Sequence, residues 1–154
     1  MYPNAFTALL NNQHIWIAIL ACVSAQALKV LIDYGRTKKV DRALFWGTGG
    51  MPSSHSAFVV ALAASIATAE GLHSPLFAIA LVFALVVMYD AAGVRRAAGK
   101  HAEVINILME RLENIGIKPD KKLKELLGHS PIEVMAGALW GILTATAAYG
   151  IVLG

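Results

Sequence analysis

The sequence predicts an all-α protein, a polytopic membrane helical bundle of four transmembrane helices with short amphipathic helices in a long cytoplasmic loop. Three observations carry this prediction. The 154 residues are 57% hydrophobic and only 15% charged, with a mean hydropathy of +0.61. A water-soluble fold of this length keeps too large a surface for its volume to hide so much apolar area. The apolar residues gather into four runs, and every Lys and Arg lies at or between particular ends of those runs. The length suits a single membrane-embedded domain, residues 1–154.

The first run is Ile15–Ile32, interrupted only by Gln26 and Lys29. The segment before it, Met1 to Gln13, has no basic n-region, so the run is read as a retained span. The second is Ala57–Ala69, extended upstream through Ser53–Ser56, and the third is Leu76–Tyr89, opened by Pro75. The fourth is Ile132–Leu153, with one acid, Glu133, near its start. A span needs about 20 residues at ~1.5 Å each. Runs one and four meet that length; runs two and three are short, but neither has the polar face of an amphipathic surface helix. Small residues recur every fourth position, at Ala57, Ala61, Ser65 and Ala69 in run two and at Gly137, Gly141 and Ala145 in run four. Such stripes let membrane helices approach closely. The single cysteine, Cys22, lies inside an apolar run, so no disulfide framework is available.

The connections are unequal. Glu70–Pro75 is a tight turn, whereas Asp33–Met51 and Asp90–His129 are polar. The longer polar segment predicts two amphipathic helices. Lys100–Leu112 places Val104, Ile105, Leu108 and Leu112 on one side, and Asp120–Leu127 gathers Leu123, Leu126 and Leu127. These helices are expected to lie on the membrane surface or over the polar end of the bundle.

Alternating spans put both polar segments on one side. All thirteen basic residues fall there: Lys29 at the end of run one, four in Asp33–Met51 and eight in Asp90–His129. Short loops rich in Lys and Arg stay in the cytoplasm. The expected location is therefore the cell membrane, multi-pass, with polar loops and site cytoplasmic and both termini external.

Chemistry-bearing residues gather at that same end. Run one exits with Lys29, run two enters with Pro52-Ser53-Ser54-His55, run three exits with Asp90 and then Arg95-Arg96, and run four enters with His129-Ser130-Pro131-Ile132-Glu133. Helix N-termini present free N–H groups to anions. Arg and Lys supply charge and donors for phosphate oxygens. Two histidines can divide nucleophile and general-acid work. The group suits phosphoryl transfer from a membrane-borne substrate.

At these residues the chain resembles the type-2 phosphatidic acid phosphatase superfamily, which includes vanadium haloperoxidases, and more closely its small divergent branch of bacterial and plant membrane proteins. The match rests on Gly49–Ala57, Met88–Arg96 and Leu126–Val134 and extends over most of the chain from Gln26 onward. The superfamily pattern runs Lys-x6-Arg-Pro, Pro-Ser-Gly-His, then Ser-Arg-x5-His-x3-Asp. Lys29 and Arg36 have the first spacing, with Thr37 in place of proline. Pro52, Ser53 and His55 match the second motif, with Ser54 in place of glycine. His129 and Glu133 match the end of the third, with Glu for Asp. Leu123 stands where that motif's arginine precedes the histidine, so Arg95 or Arg96 would replace it from the end of run three. The resemblance implies a phosphohistidine mechanism: His129 attacks phosphorus, Glu133 orients and stabilises it, and His55 protonates the leaving oxygen. Lys29, Ser53, Ser54 and Arg95 or Arg96 would hold the phosphoryl oxygens. Asp90 would orient or neutralise the arginine. No metal or other cofactor is required for this chemistry.

Plainer roles compete for the same residues. Ser130-x-x-Glu133 is also a capping box, with Pro131 at the favoured first helical position. Ser53 and Ser54 can simply cap run two, although capping does not call for His55. His101 has the Arg-x5-His spacing from Arg95, but Ile105 stands where the acid should be. His14 and His73 belong to the opposite side as interfacial residues, and Arg36 can answer to topology alone. Two functions follow. The first is a membrane lipid phosphate or pyrophosphate phosphatase; the second is a non-catalytic lipid-phosphate binder or membrane assembly protein that keeps the pocket. The expected partners are membrane lipids, a phosphorylated lipid substrate and a second copy of the chain, with the Gly137/Gly141 face as the dimer seam; no nucleic acid is expected.

Overall fold

Two short capping signals start the chain's first helices. In the computed structural model, which describes residues 4–39, 50–116, 122–123 and 128–153, the Asn4 side chain accepts from the Thr7 N–H and opens α1, Ala5–Leu10. Asn12 likewise caps α2, Gln13–Thr37, which ends where Lys38 turns left-handed at φ 57°. Ser53 caps α3, Ser54–Glu70, which stops at Gly71 with φ +84°. Ser74 and Pro75 start α4, Pro75–Ala92, and Gly93 separates it from α5, Val94–Glu113. Pro131 opens α6, Pro131–Leu153. All described elements are helical.

The protein is a membrane helical bundle. Gln13–Thr37, Pro75–Glu113 and Pro131–Ile151 are long and apolar enough to cross a bilayer. The sequence predicts four spans, and the shortest is α3, whose 17 residues reach roughly 26 Å, under the ~30 Å hydrocarbon core; the 18 residues of α4 reach roughly 27 Å before Gly93, and the Pro75–Glu113 span includes α5. α3 is also the central helix, packed by α2, α4 and α6 together. A helix jacketed by its neighbours need not match the lipid thickness that its neighbours face.

Packing is inside-out relative to a soluble protein. Ala21, Ala25, Ala57, Ala61, Ser65 and Ala145 are fully buried, while Ile79, Val82, Ile132, Met135 and Leu139 are exposed. Small residues at helix contacts and large apolar ones outside are what a lipid solvent selects, since close backbone approach supplies the attraction. Both predicted stripes are contact seams, except that Ala69 is exposed at the end of its stripe. Gly137 and Gly141 are tightest: a Cβ on Gly137 would overlap the Ser53 carbonyl oxygen, and one on Gly141 would lie 2.6 Å from the Ala57 oxygen. The expectation of a homodimer seam at Gly137/Gly141 is corrected here, because α3 of the same chain fills that face.

Two further expectations change. α2 continues a turn past its apolar run, so Asp33 and Arg36 are helical rather than part of a loop. The amphipathic helix predicted at Lys100–Leu112 is the longer α5, and it buries Gly99, Ala102 and Asn106 instead of its apolar stripe. The helix predicted at Asp120–Leu127 lies almost wholly outside the described residues, as do Arg42, Lys118, Lys121 and Lys124. At the end away from the basic residues, the His14 Nδ1 lies 3.0 Å from Ser65 Oγ and 3.5 Å from the Tyr149 hydroxyl.

Candidate functional site

The site is assembled where α2 and α4 end and α3 and α6 begin. Two backbone hydrogen bonds fix its frame. The Ser53 N–H donates to the Glu133 carbonyl (3.0 Å), and the His129 N–H donates to the Ala91 carbonyl (3.0 Å). The first ties the start of α3 to the first turn of α6; the second hangs His129 from the end of α4. Gly128, with φ +89°, makes the approach possible, because a Cβ there would overlap the backbone of Arg95 and Arg96. Any side chain at 128 would push His129 away from α4.

The His129 ring is buried, 3% exposed. Its Nδ1 is 3.4 Å from Glu133 Oε2, an ion-pair distance that is not aligned as a hydrogen bond. The same Oε2 accepts the Ser130 N–H at 2.8 Å, and Ser130 Oγ accepts the Glu133 N–H at 3.3 Å. The capping box therefore forms, and it aims one carboxylate oxygen at both Ser130 and His129. The structural and the chemical readings of Glu133 are compatible. With Nδ1 turned to the carboxylate, Nε2 is the nitrogen left for a substrate. Burial lowers the His129 pKa below the ordinary imidazole value, with Lys29 and His55 adding to the effect and Glu133 opposing it. Its neutral form is favoured at neutral pH.

His55 stands in the first turn of α3, exposed, with its ring centroid 6.4 Å from that of His129. Arg95, Lys29 and Asp90 are the charges that act on it. Arg95 Nε donates to Asp90 Oδ2 at 2.6 Å, so Asp90 holds the guanidinium that acts on His55. Arg96 joins through its backbone against Gly128, and its side chain is exposed. Lys29 is 3% exposed, a rare degree of burial for an ammonium group unless it is paired. Glu133 is the opposing charge that acts on it. Its stem runs under Gly50, whose φ of +81° brings the chain so close that a Cβ would lie 3.2 Å from Lys29 Cδ.

Ser53 and Ser54 are buried. Ser53 Oγ accepts from the Ser56 N–H and the Ser56 hydroxyl, so it acts as the cap of α3 and keeps its own proton to donate. A cleft of about 260 Å³ opens beside Glu133, lined by Lys29, Ile32, Asp33, Arg36, Gly50, Met51, Ser130 and Ile132 as well. Arg36 thus shares the cleft with Lys29. Asp33 was not singled out from the sequence, although its spacing from Lys29 and Arg36 (i, i+4, i+7) places all three on one helical face once the helix is known to continue. Asn106 also escaped notice. It is buried on α5, and its carboxamide both donates to and accepts from the Leu123 backbone at 2.8 Å. A polar residue on the small face of an amphipathic helix was the available signal.

A family model for the Divergent PAP2 family matches residues 10–144. The chain belongs to that family. Its matched span runs from α1 to the middle of α6 and so contains every site residue described above. YuiD of Bacillus subtilis (strain 168), an uncharacterized membrane protein, is 47% identical over 146 residues, covering 88% of this chain and 92% of that protein. No solved structure matches the chain. Membership of the Divergent PAP2 family agrees with the resemblance seen in the motifs.

Proposed function

We propose that the protein is a membrane phosphatase acting on a lipid phosphate or pyrophosphate through a phosphohistidine intermediate. The observation that carries this reading is the His129–His55 pair, 6.4 Å apart by centroids, with Lys29, Arg95 and Glu133 around it. In the first step His129 Nε2 forms a bond to phosphorus as the bond from phosphorus to the lipid oxygen breaks. His55, entering as imidazolium, gives its proton to that leaving oxygen. Lys29, Arg95 and the N–H groups at the start of α3 meet the charge that develops on the equatorial oxygens. In the second step water attacks phosphorus, neutral His55 takes its proton, and the N–P bond breaks. Glu133 holds the ring and stabilises the positive charge that builds on it.

The test is a panel of phosphatidate, phosphatidylglycerol phosphate and polyprenyl phosphates offered to the purified protein in lipid nanodiscs. With the phosphate labelled, rapid base quenching should trap label on protein as an acid-labile, base-stable adduct at His129. Phosphate release from no lipid, with no trapped label, would leave the pocket as a binder of lipid phosphates.

The same reading places four spans in the membrane, α2, α3, α4 and α6, with the basic end cytoplasmic. Its support is the clustering of basic residues at one end and the central position of α3. Membrane-impermeant thiol labelling in intact cells checks it. Asn12→Cys should react from outside and Lys121→Cys only after permeabilisation; outside access to the latter overturns the orientation.

A further inference from the structure

We propose that α5 is an interfacial helix, seated with its apolar stripe in the bilayer surface beside the site. A helix on a water-exposed face normally turns its apolar stripe to the protein. α5 does the reverse. Its buried positions are Gly99, Ala102 and Asn106, while Val94, Val104, Ile105, Leu108 and Leu112 are all exposed. At about 100° per residue these five fall within one arc of roughly 100°, on the far side from the buried face, with the exposed His101 among them and the exposed Ile107 outside the arc.

The occupant follows from continuity with α4. Along α4 the buried Ala80, Ala84 and Ala91 mark the protein side. The exposed Ile79, Val82, Phe83 and Val86 lie on the helix's other side. A span with an exposed apolar side is therefore joined, through Gly93 alone, to a second helix with an exposed apolar stripe. A bilayer that meets the end of the span also meets the helix joined to it. Lys100 and Arg111 sit at one margin of the stripe, exposed, where their stems can lie over acyl chains and their charges reach lipid phosphates. Glu103 and Glu110 lie farther round, toward solvent.

The seat has a consequence for the site. The first turn of α5 carries Arg95, and its backbone abuts Gly128 next to His129. Holding α5 in the interface holds the arginine at the depth where a lipid presents its phosphate.

Site-directed spin labelling of the full chain in anionic lipid nanodiscs tests this, in a Cys22→Ser background. Labels at Val104→Cys, Leu108→Cys and Leu112→Cys should be several-fold more accessible to oxygen than to a water-soluble nickel chelate. Labels at Glu103→Cys and Glu110→Cys should show the opposite ratio. Equal chelate access at all five positions overturns the proposal, since the stripe then faces water. Protection of the stripe from both reagents also overturns it, since another protein surface then covers it. Neither result depends on whether the protein hydrolyses a lipid phosphate.

Discussion

His129→Ala is expected to abolish phosphate release while leaving the bundle folded. The imidazole is the only group placed to form the covalent intermediate in the proposed mechanism, and losing a covalent nucleophile costs on the order of 10⁴- to 10⁶-fold in turnover. Removing the leaving-group acid should cost less, so His55→Ala is expected to fall by roughly 10²- to 10⁴-fold. It should recover part of that loss on substrates with a good leaving group, which need no proton; His129→Ala should recover nothing. The pH profile separates the two roles further. His129 must be neutral to attack, and burial lowers its pKa from the ordinary imidazole value. The acid limb belonging to it in kcat/KM should therefore lie below the usual value of about 6.5. Glu133 is the neighbour that pushes the His129 pKa back up. In Glu133→Gln that limb should move to still lower pH, with reduced turnover. A limb that stays in place would mean that the carboxylate serves only as a helix cap. The measurement is steady-state phosphate release in nanodiscs across pH, with circular dichroism as the check on folding.

Gly137→Val is expected to fail at an earlier stage, by separating α6 from α3. The space for its Cβ is already taken by the Ser53 carbonyl oxygen, with Ser53 C and Ser56 Cβ each at 3.0 Å. The obstacles are backbone and the buried wall of a helix, neither of which rotates away. Overpacking of this kind costs about 1–3 kcal/mol or more, and here relief requires moving a helix. The movement would also break the Ser53 N–H to Glu133 carbonyl bond that registers the two halves of the site. Thermal unfolding in detergent should shift down, and surviving protein should lose turnover in proportion to lost site geometry. Gly150→Val is the control, because a Cβ there meets nothing within 4 Å. Equal melting temperatures for the two variants would show that the Gly137 seam is slack.

The candidate site was largely legible because its chemistry sits in short motifs next to helix ends. His55 directly follows Ser54, the first residue of α3, and His129 stands two residues before Pro131, the first of α6, and helix starts announce themselves through serine and proline. The apolar runs named the bundle because hydrophobicity over many residues is an additive property of sequence. Asp33 was missed because the apolar run ended before the helix did; continuation of a helix past a composition change is decided by what its polar turn packs against. Arg95 and Arg96 were indistinguishable for a similar reason. They are neighbours in sequence, and only the backbone of α5 against Gly128 and the bond to Asp90 tell them apart.

By itself, then, the sequence determined the helical membrane class, the family, the clustering of basic residues at one end and the pair of histidines. These follow from composition, periodicity and local motifs, which need no partner to be read. The tertiary structure alone decided that the two small-residue stripes meet each other, that Gly137 faces Ser53 rather than another chain, and that α5 turns its apolar stripe outward. Each depends on the rotation of one helix about its axis relative to another, and that rotation is set by which pair of surfaces packs most closely, a comparison that a single helix's sequence does not contain.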